Sequence, residues 1–219
     1  IKYDNWFKES TLHNNGAVKA VIEKLKEGGH TYEQDGALWL KATDFGGDQD
    51  FVLVRSNGFP TYIVPDIAYH YDKLITRAYD KAINVLGADH HGYVQRMRIA
   101  LSALGIDDKR LDVVIMQMVM LIRDGKPCKL SKRSGKAITL TTLLDEVPID
   151  AARFVFNQRN ADTHLEFDLD LAVEESSKNP VFYVQYAHAR ICSVIRKQAD
   201  EGVKYEGGAV SYTEPAEFA

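Results

Sequence analysis

Two short apolar runs, Ile83-Asn84-Val85-Leu86 and Val113-Val114-Ile115-Met116, stand one helix-length apart in the sequence. Runs of this kind suit strands of a parallel sheet that is covered on both faces. Between them Gly87-Ala88-Asp89-His90-His91-Gly92-Tyr93 is followed by a stretch that places Val94, Met97, Leu101 and Leu104 on one side and ends at Gly105. That spacing predicts a helix. Strand, crossover helix and strand imply an α/β layer fold, with ligands bound at the C-terminal ends of the strands.

Other segments fill in around this unit. Residues 10–27 are predicted to form one amphipathic helix with Val18, Val21, Ile22 and Leu25 on its apolar face, ended by Gly28-Gly29. From about residue 31 to 65 the texture changes to short strand-like runs: Ala37–Leu40, Phe51–Val54 and Thr61–Val64, separated by Gly- and Asn-rich turns. They predict a small antiparallel sheet inserted in or beside the main fold, followed by a helix from Asp66 to Tyr79. After Leu144 strand signals nearly vanish. Thr142-x-x-Asp145 is similar to a capping box, Asp150 is suited to cap a helix reaching about Arg159, and Asn179-Pro180 opens a long helix to about Gln198. The expected domain boundary is near 148, giving domains 1–148 and 149–219.

At 219 residues, with 45% hydrophobic and 26% charged, the chain has the makings of a buried core. No apolar run approaches the roughly 18 residues needed to span a bilayer, so no membrane role is expected. The opening residues Ile1 to Trp6 mix charge with aromatics and do not form a secretory signal. The chain reads as an internal piece of a longer protein. Cys128 and Cys192 form no framework or CxxC pair, which makes a reducing, cytoplasmic setting the expectation. The net charge of −4 argues against a non-specific nucleic-acid coat. A specific binder needs only a local patch, and residues 121–136 carry Arg123, Lys126, Lys129, Lys132, Arg133 and Lys136 against Asp124 alone. A plain solvated loop explains such a run equally well.

Four constellations could carry chemistry. Lys129-Leu130-Ser131-Lys132-Arg133-Ser134-Gly135-Lys136, after an Asp124-Gly125 turn, places lysines beside small residues, as suits a loop neutralising phosphate charge. At the end of the first strand, Asp89 could accept from ribose hydroxyls, and Gly87 lets a ligand approach the backbone. His90 and His91 invite a metal reading, but adjacent residues rarely converge on one ion and no third ligand stands at metal spacing. Tyr62 and Asp66, four apart, share a side if their segment is helical and could hold a guanidinium or ammonium group. Taken by itself, Asp66 directly after Pro65 is more often a helix cap. In the last helix Val184, Ala187, Ile191 and Val194 form an apolar stripe beside Tyr183, Tyr186 and Arg190. Those three could stack unpaired bases, or the tyrosines could pack at a core edge.

Together these segments resemble one family. Lys129-Leu130-Ser131-Lys132-Arg133 is similar to the KMSKS loop of class I aminoacyl-tRNA synthetases, with Leu for Met and Arg for the last Ser. Gly87 to His90 resembles the strand-end motif with which that class holds the adenylate. Tyr62–Tyr69, Gly87–Tyr93, Leu130–Gly135 and Asn179–Arg190 narrow the resemblance to the arginyl-tRNA synthetase family, in order and over almost the whole chain. The resemblance implies the C-terminal half of a Rossmann-like nucleotide-binding sheet, followed by the start of a helical anticodon-binding domain. It implies that Tyr62, Asp66 and His90 bind arginine, and that Gly87, Asp89 and His90 hold ATP or the adenylate. Lys129 and Lys132, with Ser131, would act on the departing pyrophosphate. Tyr183, Tyr186 and Arg190 would meet tRNA-Arg. ATP with Mg2+ as its counter-ion, no protein metal site, a monomer and a cytoplasmic location complete the expectation.

No His-x-Gly-His motif occurs in the chain, which leads us to expect weak activity or none from these residues alone. Two other classes remain open: an adenylating enzyme of small acids without an RNA partner, and a synthetase-like module that only binds RNA or protein. The Tyr-Tyr-Arg face argues against the first, and Lys129, Lys132, Asp66 and Asp89 argue against the second.

Overall fold

Gly16 divides what the apolar spacing predicts as one helix. In the computed structural model, which describes residues 2–127 and 139–202, α1 covers Ser10–Asn14 and α2 covers Ala17–Glu27. Gly16 sits between them at φ +79°, a left-handed conformation cheap only for glycine, and Asn15 Oδ1 accepts from the Ala17 amide at 3.0 Å. The expected apolar positions Val18, Val21 and Leu25 are buried. Gly29, also left-handed, ends α2: its amide bonds the Lys26 carbonyl while the His30 amide bonds that of Leu25. This pair of bonds is the Schellman closure.

Strands β1 (Thr31–Gln34), β2 (Ala37–Leu40) and β3 (Phe51–Val54) form an antiparallel sheet in that order. Asp35 and Gly36, both at positive φ, make the two-residue turn between β1 and β2. Thr61–Val64, expected as a further strand, is not one. Thr61 ties itself to the sheet through bonds to the Leu53 and Val52 carbonyls, and helix α3 then runs Ile63–Tyr71. Pro65 is tolerated in the first turn, where no intrahelical donor is required. Burial of Val64 and Ile67 outweighs their β-branched preference. The expected helix end at Tyr79 is also revised. A π-turn over Asp72–Thr76 follows α3, the Arg77 amide reaching five residues back to Asp72, and Ala78 adopts φ +54°. Arg110 closes this end by donating to the carbonyls of Leu74 and Asp80 at 2.9 and 3.0 Å, and to that of Tyr79.

The βαβ unit is present. Strand β4 (Ala82–Gly87), helix α4 (His91–Ala103) and strand β5 (Leu111–Met116) follow in order, and β4 pairs parallel to β5 from Ala82↔Leu111 to Gly87↔Met116. Ala82 and Leu111 belong to the core with Met97, Ala100 and Leu101 of α4. Ile83, Val85, Val114 and Met116 face outward and are exposed.

These elements, with Asn160–His164, form one unit; Val119–Arg159 and the chain from Leu165 onward form the other. In the second unit β6 (Val119–Arg123) pairs antiparallel with β7 (Lys126–Pro127) through the Asp124-Gly125 turn, and parallel with β8 (Leu165–Asp168). Strand β8 corrects the expectation that strands fade after Leu144. Its alternation spans only Leu165 and Phe167, both buried, too short to stand out in sequence. Thr139, not Thr142, caps α5 (Leu140–Leu144), its hydroxyl accepting from the Thr142 amide at 3.2 Å. Pro148 stands at the N-cap of α6 (Ile149–Asn157), and Asp150 lies in the first turn instead, where it accepts from Gln185. After α7 (Leu169–Val173), capped by Asp168, helix α8 runs Pro180–Asp200, with Asn179 accepting from the Val181 amide at 3.0 Å as the sequence predicts.

Candidate active site

Gly87 ends β4, and the chain turns through Ala88–His90 into α4. Its φ of −72° is open to any residue, so space explains the glycine: a Cβ there would lie 2.7 Å from Asp89 Oδ1. With no Cβ in the way, the Asp89 carboxylate folds back and sits 3.0 Å from His90 Nδ1. Facing this strand end is the first turn of α3. Tyr62 is its N-cap residue and Asp66 lies one turn further in, so Asp66 is not the cap.

Tyr62, Asp66, Asp89 and His90 line one cleft of about 770 Å³. Phe51 and Thr61 from the small sheet close one side, and Tyr93 and Arg96 of α4 close another. Asp66 is half-buried, whereas Tyr62 is 88% exposed with the Arg55 guanidinium 5.9 Å from its ring centre. A half-buried carboxylate beside phenols suits a planar cation that can be hydrogen-bonded along its edge and stacked on its face.

Tyr93, not singled out as a site residue, stands beside Asp66. Burial raises its phenol above the ordinary tyrosine range, and the Asp66 carboxylate adds to the shift. The hydroxyl therefore stays protonated and can only donate towards that carboxylate. A second cleft of about 540 Å³ shares Asp66, His90 and Tyr93 and is completed by His70, Lys73 and Asn84. Lys73 is pushed down to about 8 by burial, with the Arg77 charge helping. Arg77 Nε lies 2.8 Å from Asp72 Oδ2, an ion pair without hydrogen-bond alignment, and its guanidinium spreads over the rings of Phe7, Tyr69 and Tyr79. Spacing along one element cannot reveal Tyr93 as a neighbour of Asp66, because that meeting depends on how α3 and α4 pack, whereas His70 lies one helical turn beyond Asp66 and its four-residue spacing could have shown it.

Among the described residues no three His, Cys, Asp or Glu side chains gather as a metal site. Lys129, Ser131 and Lys132 lie outside the described residues. Tyr183, Tyr186 and Arg190 lie on α8 in the second unit, all exposed, so the tyrosines do not pack at a core edge among the described residues. No helix among the described residues is long and apolar enough to cross a membrane.

A parallel βαβ unit with a carboxylate-lined cleft at the C-terminal end of its first strand defines an α/β domain of the nucleotide-binding class. The family described as tRNA synthetases class I (R), catalytic domain, matches residues 6–205, and the chain belongs to it. Arginine–tRNA ligase of Caldanaerobacter subterraneus subsp. tengcongensis is 60% identical over 94% of the chain, and arginine–tRNA ligase of Bacillus subtilis 52% identical over 93%. The chain spans 37% and 36% of those two relatives. A crystal structure assigned as an arginyl-tRNA synthetase from Campylobacter jejuni superposes with a TM-score of 0.83 at 42% identity, over 94% of this chain and 45% of that one. The arginyl-tRNA synthetase of Thermus thermophilus shares the fold at a TM-score of 0.72 and 22% identity, over 92% of this chain and 43% of that one.

Proposed function

We propose that this chain is the part of an arginine–tRNA ligase that selects arginine and holds its adenylate. The observation that carries the reading is the convergence of Asp66 and Tyr62 with Asp89 and His90 on one cleft, in a chain of this family. The Asp66 carboxylate accepts the guanidinium, and Tyr62 and Tyr93 supply aromatic walls. A charge-assisted pair of this kind discriminates strongly against uncharged analogues. Asp89, freed by Gly87, accepts from the ribose hydroxyls of the adenylate, and His90 stands between the two substrates.

The arginine carboxylate attacks the α-phosphate of ATP, forming arginyl-adenylate and releasing pyrophosphate; a terminal ribose hydroxyl of tRNA-Arg then takes the arginyl group. No enzyme nucleophile is needed, so the chain's part is positioning and electrostatics. Lys129 and Lys132, with Ser131 beside them, counter the charge on the departing pyrophosphate. Mg2+ would come with ATP as its counter-ion and would supply charge neutralisation at the phosphates, with no side chain of this chain assigned to hold it. The second unit supplies the RNA contact through Tyr183, Tyr186 and Arg190, and the helical anticodon-binding domain begins near residue 149. The exposed outer face of β4 and β5 supports a further layer packed on that face, as in a nucleotide-binding fold whose parallel sheet is covered on both sides. With no His-x-Gly-His motif, these 219 residues by themselves activate arginine weakly or not at all. We assign a monomeric, cytoplasmic enzyme.

The test is ATP–pyrophosphate exchange on full-length protein carrying this chain, with and without tRNA, comparing arginine, lysine and citrulline. Exchange should occur with arginine alone. Asp66→Ala, which leaves a guanidinium unpaired in a half-buried site, should lower kcat/KM for arginine by at least about thirtyfold (~2 kcal/mol). Exchange with none of the three amino acids, even with tRNA present, would instead favour a module that only binds RNA or protein.

A further inference from the structure

His70 is 2% exposed, and both its ring nitrogens are engaged. Nδ1 lies 2.7 Å from the backbone oxygen of Asp66, one turn earlier on α3. A carbonyl can only accept, so Nδ1 carries the proton and Nε2 is left with a lone pair. Nε2 takes the Asn84 side-chain amide of β4 at 2.8 Å, and Asn84 Oδ1 takes Lys73 Nζ at 3.0 Å. Donor and acceptor alternate along these three bonds, and with the Asp66 carbonyl fixed as an acceptor the order cannot be reversed. Burial, with the Lys73 charge second, lowers the His70 pKa and keeps the ring in the neutral form that the chain of bonds requires.

The bridge joins the two elements on which the cleft depends. Helix α3 carries Tyr62 and Asp66; β4 runs directly into Gly87, Asp89 and His90. The histidine bond reaches α3 at the backbone of Asp66 itself. We infer that His70 and Asn84 are positioning residues for arginine activation, setting the Asp66 carboxylate relative to Asp89 and His90. The inference rests on the arginine-activating reading above. Neither residue needs to touch substrate: Asn84 and His70 line only the second cleft.

The bridge has a definite pH sense. Facing His70 are Asp66 and Tyr69 of its own helix, Lys73 of the π-turn after it, Asn84 of β4, and across the second cleft His90 and Tyr93. Helix α2, packed on α3, brings Lys24 to the ring of Tyr71. Burial lowers the His70 pKa, so the bridge stays intact down through the ordinary histidine range; only as pH falls through that lowered value does Nε2 gain a proton and cease to accept from Asn84. Asn84→Asp reverses this sense. The carboxylate it introduces still accepts from Lys73 but offers Nε2 no proton, so it binds His70 only when the ring is charged.

Full-length enzyme should therefore be assayed by ATP–pyrophosphate exchange as wild type, Asn84→Leu and Asn84→Asp. In Asn84→Leu the KM for arginine should rise about tenfold or more, with the KM for ATP within about twofold. The ratio of arginine KM in Asn84→Asp to that in wild type should fall as pH is lowered from 8 to 6. Equal changes in the two KM values, or a ratio independent of pH, would overturn the positioning role, and the ratio alone decides if Asn84→Leu does not fold. A wild type that exchanges with arginine while the ratio stays flat removes this inference only. A wild type that exchanges with no amino acid removes the reading beneath it as well.

Discussion

Helix α3 and helix α8 both carry side chains proposed to meet substrates, and within this chain they are held in opposite ways. Five of the nine residues of α3 are buried, and the His70–Asn84–Lys73 bonds tie it to β4. Among the 21 residues of α8 only Val181 is buried, and the helix is fastened near its start by Asn179 and by Gln185 reaching Asp150. Val184, Ile191 and Val194 of its apolar stripe are all exposed. The contrast matches what each would recognise. A guanidinium is small, and misplacement of its carboxylate by an ångström costs affinity directly. A folded RNA spreads its contacts over a large surface, so each exposed side chain of α8 needs less exact placement than the Asp66 carboxylate.

The strongest way to sharpen this contrast is at the rigid end. Gly87→Ala places a Cβ 2.7 Å from Asp89 Oδ1. The carboxylate is the flexible partner, so the fold should survive while the 3.0 Å bond to His90 breaks. The KM for ATP should rise about tenfold (~1.4 kcal/mol) with little change in the thermal midpoint. An unchanged KM for ATP would mean that Asp89 need not be held back for the adenylate to bind.

Asn179→Ala tests the other end. The side chain caps α8 through Val181 and donates to the Glu174 carbonyl at 2.9 Å, from a position only 4% exposed. Its loss should cost about 1–2 kcal/mol, read as faster amide exchange in the first turns of α8. Charging of tRNA should weaken, while arginine-dependent exchange stays within about twofold. A matching rise in the KM for arginine would show that the two regions do not act separately.

The same contrast explains what could be read from sequence. The βαβ unit was legible because each of its elements has its own periodicity. Asp66 and Tyr62 lie within one helical turn, and Gly87, Asp89 and His90 within four residues, so local spacing suffices for each group. Three kinds of information were not local. Thr61–Val64 has the β-branched composition of a strand, and only the burial of Val64 and Ile67 on α3 decides otherwise. Strand β8 is four residues long and is defined by its parallel pairing with β6. The bond from Asn84 to His70 crosses 14 residues and requires the strand face that points Asn84 inward while Ile83 and Val85 point out. Sequence proximity therefore found the groups proposed to meet substrate and missed the groups that hold them in place.

The smallest expected effect lies where α3 gives way to β4. Ala78 at φ +54° follows the π-turn Asp72–Thr76, a left-handed position that costs an alanine about 1 kcal/mol more than a glycine. Ala78→Gly relieves that strain but adds freedom to the unfolded chain, so the net gain should be a few tenths of a kcal/mol, seen as a slightly higher midpoint in urea. The KM for arginine is the informative reading. The strained turn lies C-terminal to Lys73 and His70, whereas Asp66 lies N-terminal to them, so the bonds to Asn84 stand between strain and site. A more stable variant with an unaltered KM would show that the bridge insulates Asp66 from the end of its own helix. A changed KM would show that the strain reaches the carboxylate, and that α3 is set from its C-terminal end as well as by β4.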